Sequence, residues 1–219
     1  MAAAGLVVTG AIGYMATHSR RVYEADHRVR RMMRRRSTRA RNRAAKAVSM
    51  LGEPSVQVPL SLGLGALIAR HRRSRIQDPT NLAPTVAVLA AIGAHHTIKA
   101  VFPRKRPLSA RLSGKTEPSY PSGHTATMTA LAAAAIMAAA NRRPGANTSG
   151  TSSLAFRRTA LAGAVAAPVV VGLARVYSGR HWISDVVGGS VLGLAIAAST
   201  RWLLLTVPWR VSRSDSTTL

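Results

Sequence analysis

"YPSGHTATMTALAAAAIMAAA", residues 120–140, joins two unlike kinds of sequence. Its start packs a proline, a serine, a glycine and a histidine into consecutive positions. Its end, "LAAAAIMAAA" (131–140), is apolar all round and offers no polar face to water. A helix of that kind is buried in protein or in lipid. "LAGAVAAPVVVGLA" (161–174) has the same character. A soluble bundle with alanine-rich core helices would need polar outer faces that these stretches lack, so the pair favours a membrane bundle.

Working outward, six stretches lack Asp, Glu, Lys and Arg: 1–19, 54–69, 82–98, 125–141, 159–174 and 186–200. A bilayer span wants about 20 apolar residues, and most of these can be lengthened into their flanks. Alanine and glycine dominate them, as where helices approach closely inside a membrane. The expected fold class is therefore all-α: a six-span transmembrane helical bundle. Residues 1–19 have no basic stretch before the apolar part, and an arginine-rich segment follows. They read as a retained first span and not as a cleaved signal.

The chain has 219 residues, no cysteine and a formal net charge of +24. Disulfides and thiolate metal sites are excluded. The charge calls for an anionic partner. Aromatic residues make up only 4%, which argues against a base-stacking platform, and no nucleic acid is expected. Residues 20–46 hold twelve Lys and Arg against two acids, Glu24 and Asp26. Val22, Val29, Met32 and Met33 give them a thin apolar stripe. The segment reads as one interfacial helix on anionic membrane lipids, between spans one and two. A solvated basic loop is the competing reading. The tail, 210–219, reads as disordered, and the Gly/Ser/Thr centre of 142–158 as a flexible loop.

Consecutive spans alternate direction, so alternate connections share a face. The connection 102–123 and the short one at 175–185 therefore lie together. They bring Lys99, Arg106, the "PSGH" of 121–124, Arg175, His181 and Asp185 to one side. A phosphate ester hydrolase needs such a set. Fixed cations stabilise charge on the equatorial oxygens of a transferring phosphoryl group. Arg grips them as a fork and Lys as a point charge. Ser122 is placed to cap the next helix, whose free N–H groups suit an anion. Gly123 lets a ligand come close to the backbone. His181 and Asp185 are four apart and share one helical face. Asp185 can hold the Nδ1 proton and leave Nε2 of His181 as nucleophile. His124 can protonate the leaving oxygen.

These blocks resemble the type 2 phosphatidic acid phosphatase superfamily, which includes vanadium haloperoxidases and bacterial acid phosphatases. "KAVFPRKRP" matches its Lys, six residues, Arg-Pro block at Lys99, Arg106 and Pro107. Pro121 to His124 match the second block, and "ARVYSGRHWISD" the third through Arg175, His181 and Asp185. Ala174 stands where serine is common. The resemblance implies phosphate binding by Lys99, Arg106, Arg175, Ser122 and Gly123. It implies His181 as nucleophile oriented by Asp185, His124 as general acid, and no cofactor or metal. On that basis the neighbouring His95 and His96 read as polar packing within span three.

The implied organisation is a first span (1–19), the basic segment (20–46), a phosphatase helical core (47–209) and the tail. The implied substrate is a phospholipid or polyprenyl phosphate or diphosphate. The implied location is the cell membrane, multi-pass, with the site extracytoplasmic. Basic residues at 20–46 would share that side, against the positive-inside tendency, unless lipid headgroups hold them. Two other readings compete: a vanadate-dependent haloperoxidase, and a non-catalytic membrane protein that binds anionic lipid.

Overall fold

The structure, a computed structural model, describes residues 2–71, 78–140 and 151–206. The expected tail and residues 142–150 of the expected loop lie outside the described residues. Among the described residues all regular structure is helical. The described part of each of the six apolar stretches is helical but for a residue at an end: α1 (Ala2–His18), α4 (Pro54–His71), α5 (Ala83–Val101), α7 (Gly123–Ala140), α8 (Thr151–Tyr177) and α9 (Ile183–Thr206). Between them lie α2 (Arg20–Arg35), α3 (Arg39–Met50), a short 3-10 turn (Pro79–Asn81) and α6 (Leu108–Leu112). Two of the described helices, α7 and α9, are long and apolar enough to cross a membrane by length and composition.

α7 is the centre of the bundle. It packs against α4, α5, α8 and α9, and twelve of its eighteen residues are buried. The helix that was apolar all round therefore meets mostly protein. Its contacts are small: Ala87 and Ala91 of α5, Ala130, Ala133 and Ala134 of α7, and Ala197 of α9 form one cluster. Val88, Met128, Leu131 and Val171 form another, toward α8. Small side chains let the backbones close in, and glycine takes this furthest. A Cβ on Gly189 of α9 would stand 2.6 Å from the carbonyl oxygen of Ser122, and one on Gly193 would strike that of Ala126. α1 packs on α9. Outward-facing Val7, Leu89, Val165, Leu194 and Trp202 leave the exterior of the bundle apolar.

Two expectations are corrected. Residues 20–46 are not one helix. They break at Arg36–Thr38 into α2 and α3, because Thr38 caps α3 by accepting from the Arg41 N–H at 3.2 Å. Both helices fold back over the bundle: α2 packs on α8 and α9, and α3 on α8. The second concerns the connection 142–158, expected as a flexible loop at its Gly/Ser/Thr centre: from Thr151 onward it is already the start of α8. Helix propagation past the apolar stretch is cheap once the helix is nucleated.

The connections 102–122 and 178–182 meet at one end of the bundle. Nη1 of Arg106 donates to the Arg180 carbonyl at 3.0 Å, and Ser109 Oγ donates to that of Gly179 at 3.1 Å. The C-termini of α5 and α8 and the N-termini of α7 and α9 come together there.

Candidate active site

That end holds an open cavity of about 850 Å³. Six of the eight nominated residues line it: Lys99, Arg106, Gly123, His124, Arg175 and His181. Ser122 and Asp185 are fully buried and do not line it. Ser122 is the residue before α7, but its hydroxyl meets Thr125 Oγ1 at 3.0 Å. Its N–H donates to the Asp185 carbonyl at 3.0 Å, which ties the start of α7 to that of α9. A Cβ on Gly123 would lie 2.7 Å from Nε2 of His95, so glycine there makes room for that ring. His95 donates through Nδ1 to the Ala91 carbonyl at 3.0 Å, and both His95 and His96 reach the cavity wall. The pair is thus more than packing within a helix.

The cations are held from behind. Lys99, in the last turn of α5, donates to the Pro118 carbonyl at 2.7 Å. Arg106 donates Nε to the Glu117 carbonyl at 2.8 Å, and its Nη2 lies 3.4 Å from Glu117 Oε2. Arg175, in the last turn of α8, has a buried Nε with no hydrogen-bond partner. A buried guanidinium donor without a partner is expensive. An anion bound in the cavity beside it would relieve that.

Hydrogen-bond logic sets the role of Nε2 in each of the two histidines. A guanidinium can only donate, and Arg106 Nη1 lies 3.3 Å from Nε2 of His181, so that nitrogen is the acceptor. The ring proton then sits on Nδ1, facing Asp185 Oδ2 at 3.4 Å. Burial pushes the His181 imidazole down to about 3, against the Asp185 carboxylate, which pulls upward. The ring is neutral, with its Nε2 lone pair toward Arg106 at the cavity wall. His124 is the opposite case. Its Nε2 lies 3.0 Å from Oε1 of Glu53, and an ionised carboxylate can only accept, so this nitrogen carries a proton.

Asp185 is the third residue of α9, and its Oδ2 accepts from the Trp182 N–H at 2.8 Å, a capping-box contact. Oδ2 also accepts from Ser119 Oγ, and Oδ1 from Arg104 Nη1 at 2.6 Å. Arg104 in turn donates through Nη2 to Asp26 Oδ2 at 2.5 Å. Asp26 comes from α2 and is buried. It accepts from the Ser184 N–H at 3.0 Å and from the Ser184 hydroxyl at 2.7 Å. Glu53, Arg104, Asp26, Ser119 and Ser184 were missed by the sequence reading. One signal was present for Asp26: an acid inside a strongly basic helix needs a reason. Arg104 stood unremarked inside the quoted "KAVFPRKRP".

Around this core the wall is basic. Arg30, Arg34, Lys46, Lys115 and Arg180 join the three nominated cations, against Glu53 and Glu117. Such a surface concentrates anions.

Known proteins share sequence and fold with this chain. Residues 81–210 match the family model described as the PAP2 superfamily. Over 102 residues the chain is 30% identical to lipid A 1-phosphatase of Porphyromonas gingivalis, covering 47% of this chain and 19% of that protein. The chain thus spans about a fifth of the length of that curated relative. Its fold is similar to the crystal structure of a transmembrane PAP2-type phosphatidylglycerolphosphate phosphatase from Bacillus subtilis. The TM-score is 0.76 at 21% identity, over 95% of this chain and 98% of the other.

Proposed function

The chain belongs to the PAP2 superfamily, and on that premise we propose that it removes the terminal phosphate of a membrane lipid phosphate or diphosphate. The observation that carries this reading is the pair of unlike histidine contacts at a cationic cavity: Nε2 of His181 faces a guanidinium, and Nε2 of His124 faces a carboxylate. The phosphate of the substrate takes the donors of Lys99, Arg106 and Arg175. Arg106 then points at phosphate oxygens, and the lone pair on Nε2 of His181 is released. That nitrogen bonds to phosphorus as the bond from phosphorus to the lipid oxygen breaks. His124 acts here in its doubly protonated form: it gives one proton to the departing oxygen and is left as neutral imidazole, with Glu53 beside it to favour the charged ring. Water then attacks phosphorus with His124 as base, the P–N bond breaks, and inorganic phosphate leaves. Asp185 offsets the positive charge that grows on the His181 ring. Ser122 serves the site indirectly, by joining the two helix starts.

The test is release of phosphate by the purified chain in EDTA. The panel is phosphatidic acid, phosphatidylglycerol phosphate and a polyprenyl diphosphate, each short-chain and dispersed in detergent. At least one is expected to be turned over. Release from none of them would end the lipid phosphatase reading.

The six apolar helices would cross the bilayer with α2 and α3 against its surface, and the cavity would open on the extracytoplasmic side. The apolar exterior supports this placement. The chain has no cysteine, so single replacements give a clean background. Arg36→Cys and Lys115→Cys are expected to react with a membrane-impermeant thiol reagent on intact cells. Labelling of the two from opposite faces would overturn the six-span arrangement.

A further inference from the structure

Asp185 is shared. Oδ1 lies 2.6 Å from Arg104 Nη1, whereas Oδ2 lies 3.4 Å from Nδ1 of His181. Arg104 and Asp185 are both buried, at 8% and 0% side-chain exposure. Taken as a pair they are neutral. A neutral pair would give little support to a histidine that becomes cationic as it bonds to phosphorus. The structure adds a second carboxylate on the far side of the guanidinium: Asp26, at 1% exposure and 2.5 Å from Nη2. Ser184 joins Arg104 to Asp26. Its hydroxyl accepts from Arg104 at 2.7 Å and donates to Asp26 at 2.7 Å. Two carboxylates and one guanidinium leave one net negative charge in the cluster. In a site of low dielectric, that charge acts strongly on a neighbouring ring.

We propose that Asp26, carried by the basic helix α2, is a positioning residue of the reaction: by balancing Arg104 it leaves the Asp185 carboxylate as net negative charge behind the nucleophile. The inference rests on the reading of His181 as nucleophile. It makes α2 part of the catalytic assembly. The same helix faces the cavity with Arg30 and Arg34 and supplies the buried acid beneath it.

The alternative is that Asp26 merely clips α2 to the start of α9. The two roles separate in a double variant. Asp26→Asn keeps size and one acceptor but leaves Arg104 uncompensated against Asp185. Its kcat on the fastest substrate of the panel is expected to fall about 10- to 100-fold, the range known for groups that hold a metal-binding histidine from behind, with KM little changed. Adding Arg104→Gln removes the uncompensated cation and restores the single charge of Asp185. The double variant is expected to recover kcat to within about tenfold of the unmodified protein, as its one remaining change is lost hydrogen bonding. A clip would lose further with each change. An Asp26→Asn protein of unaltered kcat, or a double variant no better than it, overturns the proposal. If Asp26→Asn alone does not fold, the double variant decides: kcat as low as that of His181→Ala overturns it. His181→Ala run beside them separates the two levels, since turnover retained there removes the underlying reading and not only this one.

Discussion

His181→Ala is expected to lower kcat by about 10⁴-fold or more while phosphate binding survives. Among the described residues the His181 ring is held at the cavity wall between a guanidinium at Nε2 and a carboxylate at Nδ1. Under the proposed mechanism alanine removes the atom that bonds to phosphorus. Lys99, Arg106 and Arg175 remain, so charge stabilisation in the cavity is retained. A residual rate from water attack should persist, at the level that binding and fixed charge alone sustain. The measurement is twofold: steady-state release, and rapid quench of the enzyme with a labelled substrate. The unmodified protein should carry alkali-stable, acid-labile phosphate, and the variant none. Equal turnover by the variant would assign the nucleophile elsewhere.

Arg104→Ala should be the most damaging single change to stability. It leaves Asp26 and Asp185 buried with the cation between them gone. Breaking a buried ion pair from one side costs about 3–5 kcal/mol, mostly as uncompensated charge. For a chain of this size that is a fall of about 6 to 20 °C in the thermal midpoint. It is read as the loss of monodisperse protein on heating in detergent. A shift under 2 °C would mean that one carboxylate takes up a proton at little cost. Surface arginines such as Arg20, whose pair with Glu24 is exposed, should give almost no shift.

What could be read from the sequence was what lies at fixed spacing. Four residues put His181 and Asp185 on one helical face, and alternating spans put Lys99, Arg106, His124 and Arg175 beside them. The structure assembles that set at one end of the bundle. The rest has no local period. Glu53 reaches His124 across 71 positions, and Arg104 reaches Asp26 across 78. Such contacts follow from how α2 and the start of α4 fold over the bundle, and neither repeat nor charge pattern encodes that. The break between α2 and α3 was legible and went unread. Ser37-Thr38 interrupts a run of arginines, and threonine is a helix cap. The arginines outweighed it because charge is counted over a segment, whereas a cap acts at one residue.

The glycines at 189 and 193 bear on chemistry they do not touch. His124 rides on the first turn of α7, and His181 stands just before α9. The proposed acid and the proposed nucleophile are thus mounted on two rods, and the missing side chains at 189 and 193 set how far apart the rods lie. One added methyl would act as a shim. It would widen the jaws in which a phosphorus atom must fit, while leaving every charged group in the site intact. The reach of this active site is measured by two hydrogen atoms on α9.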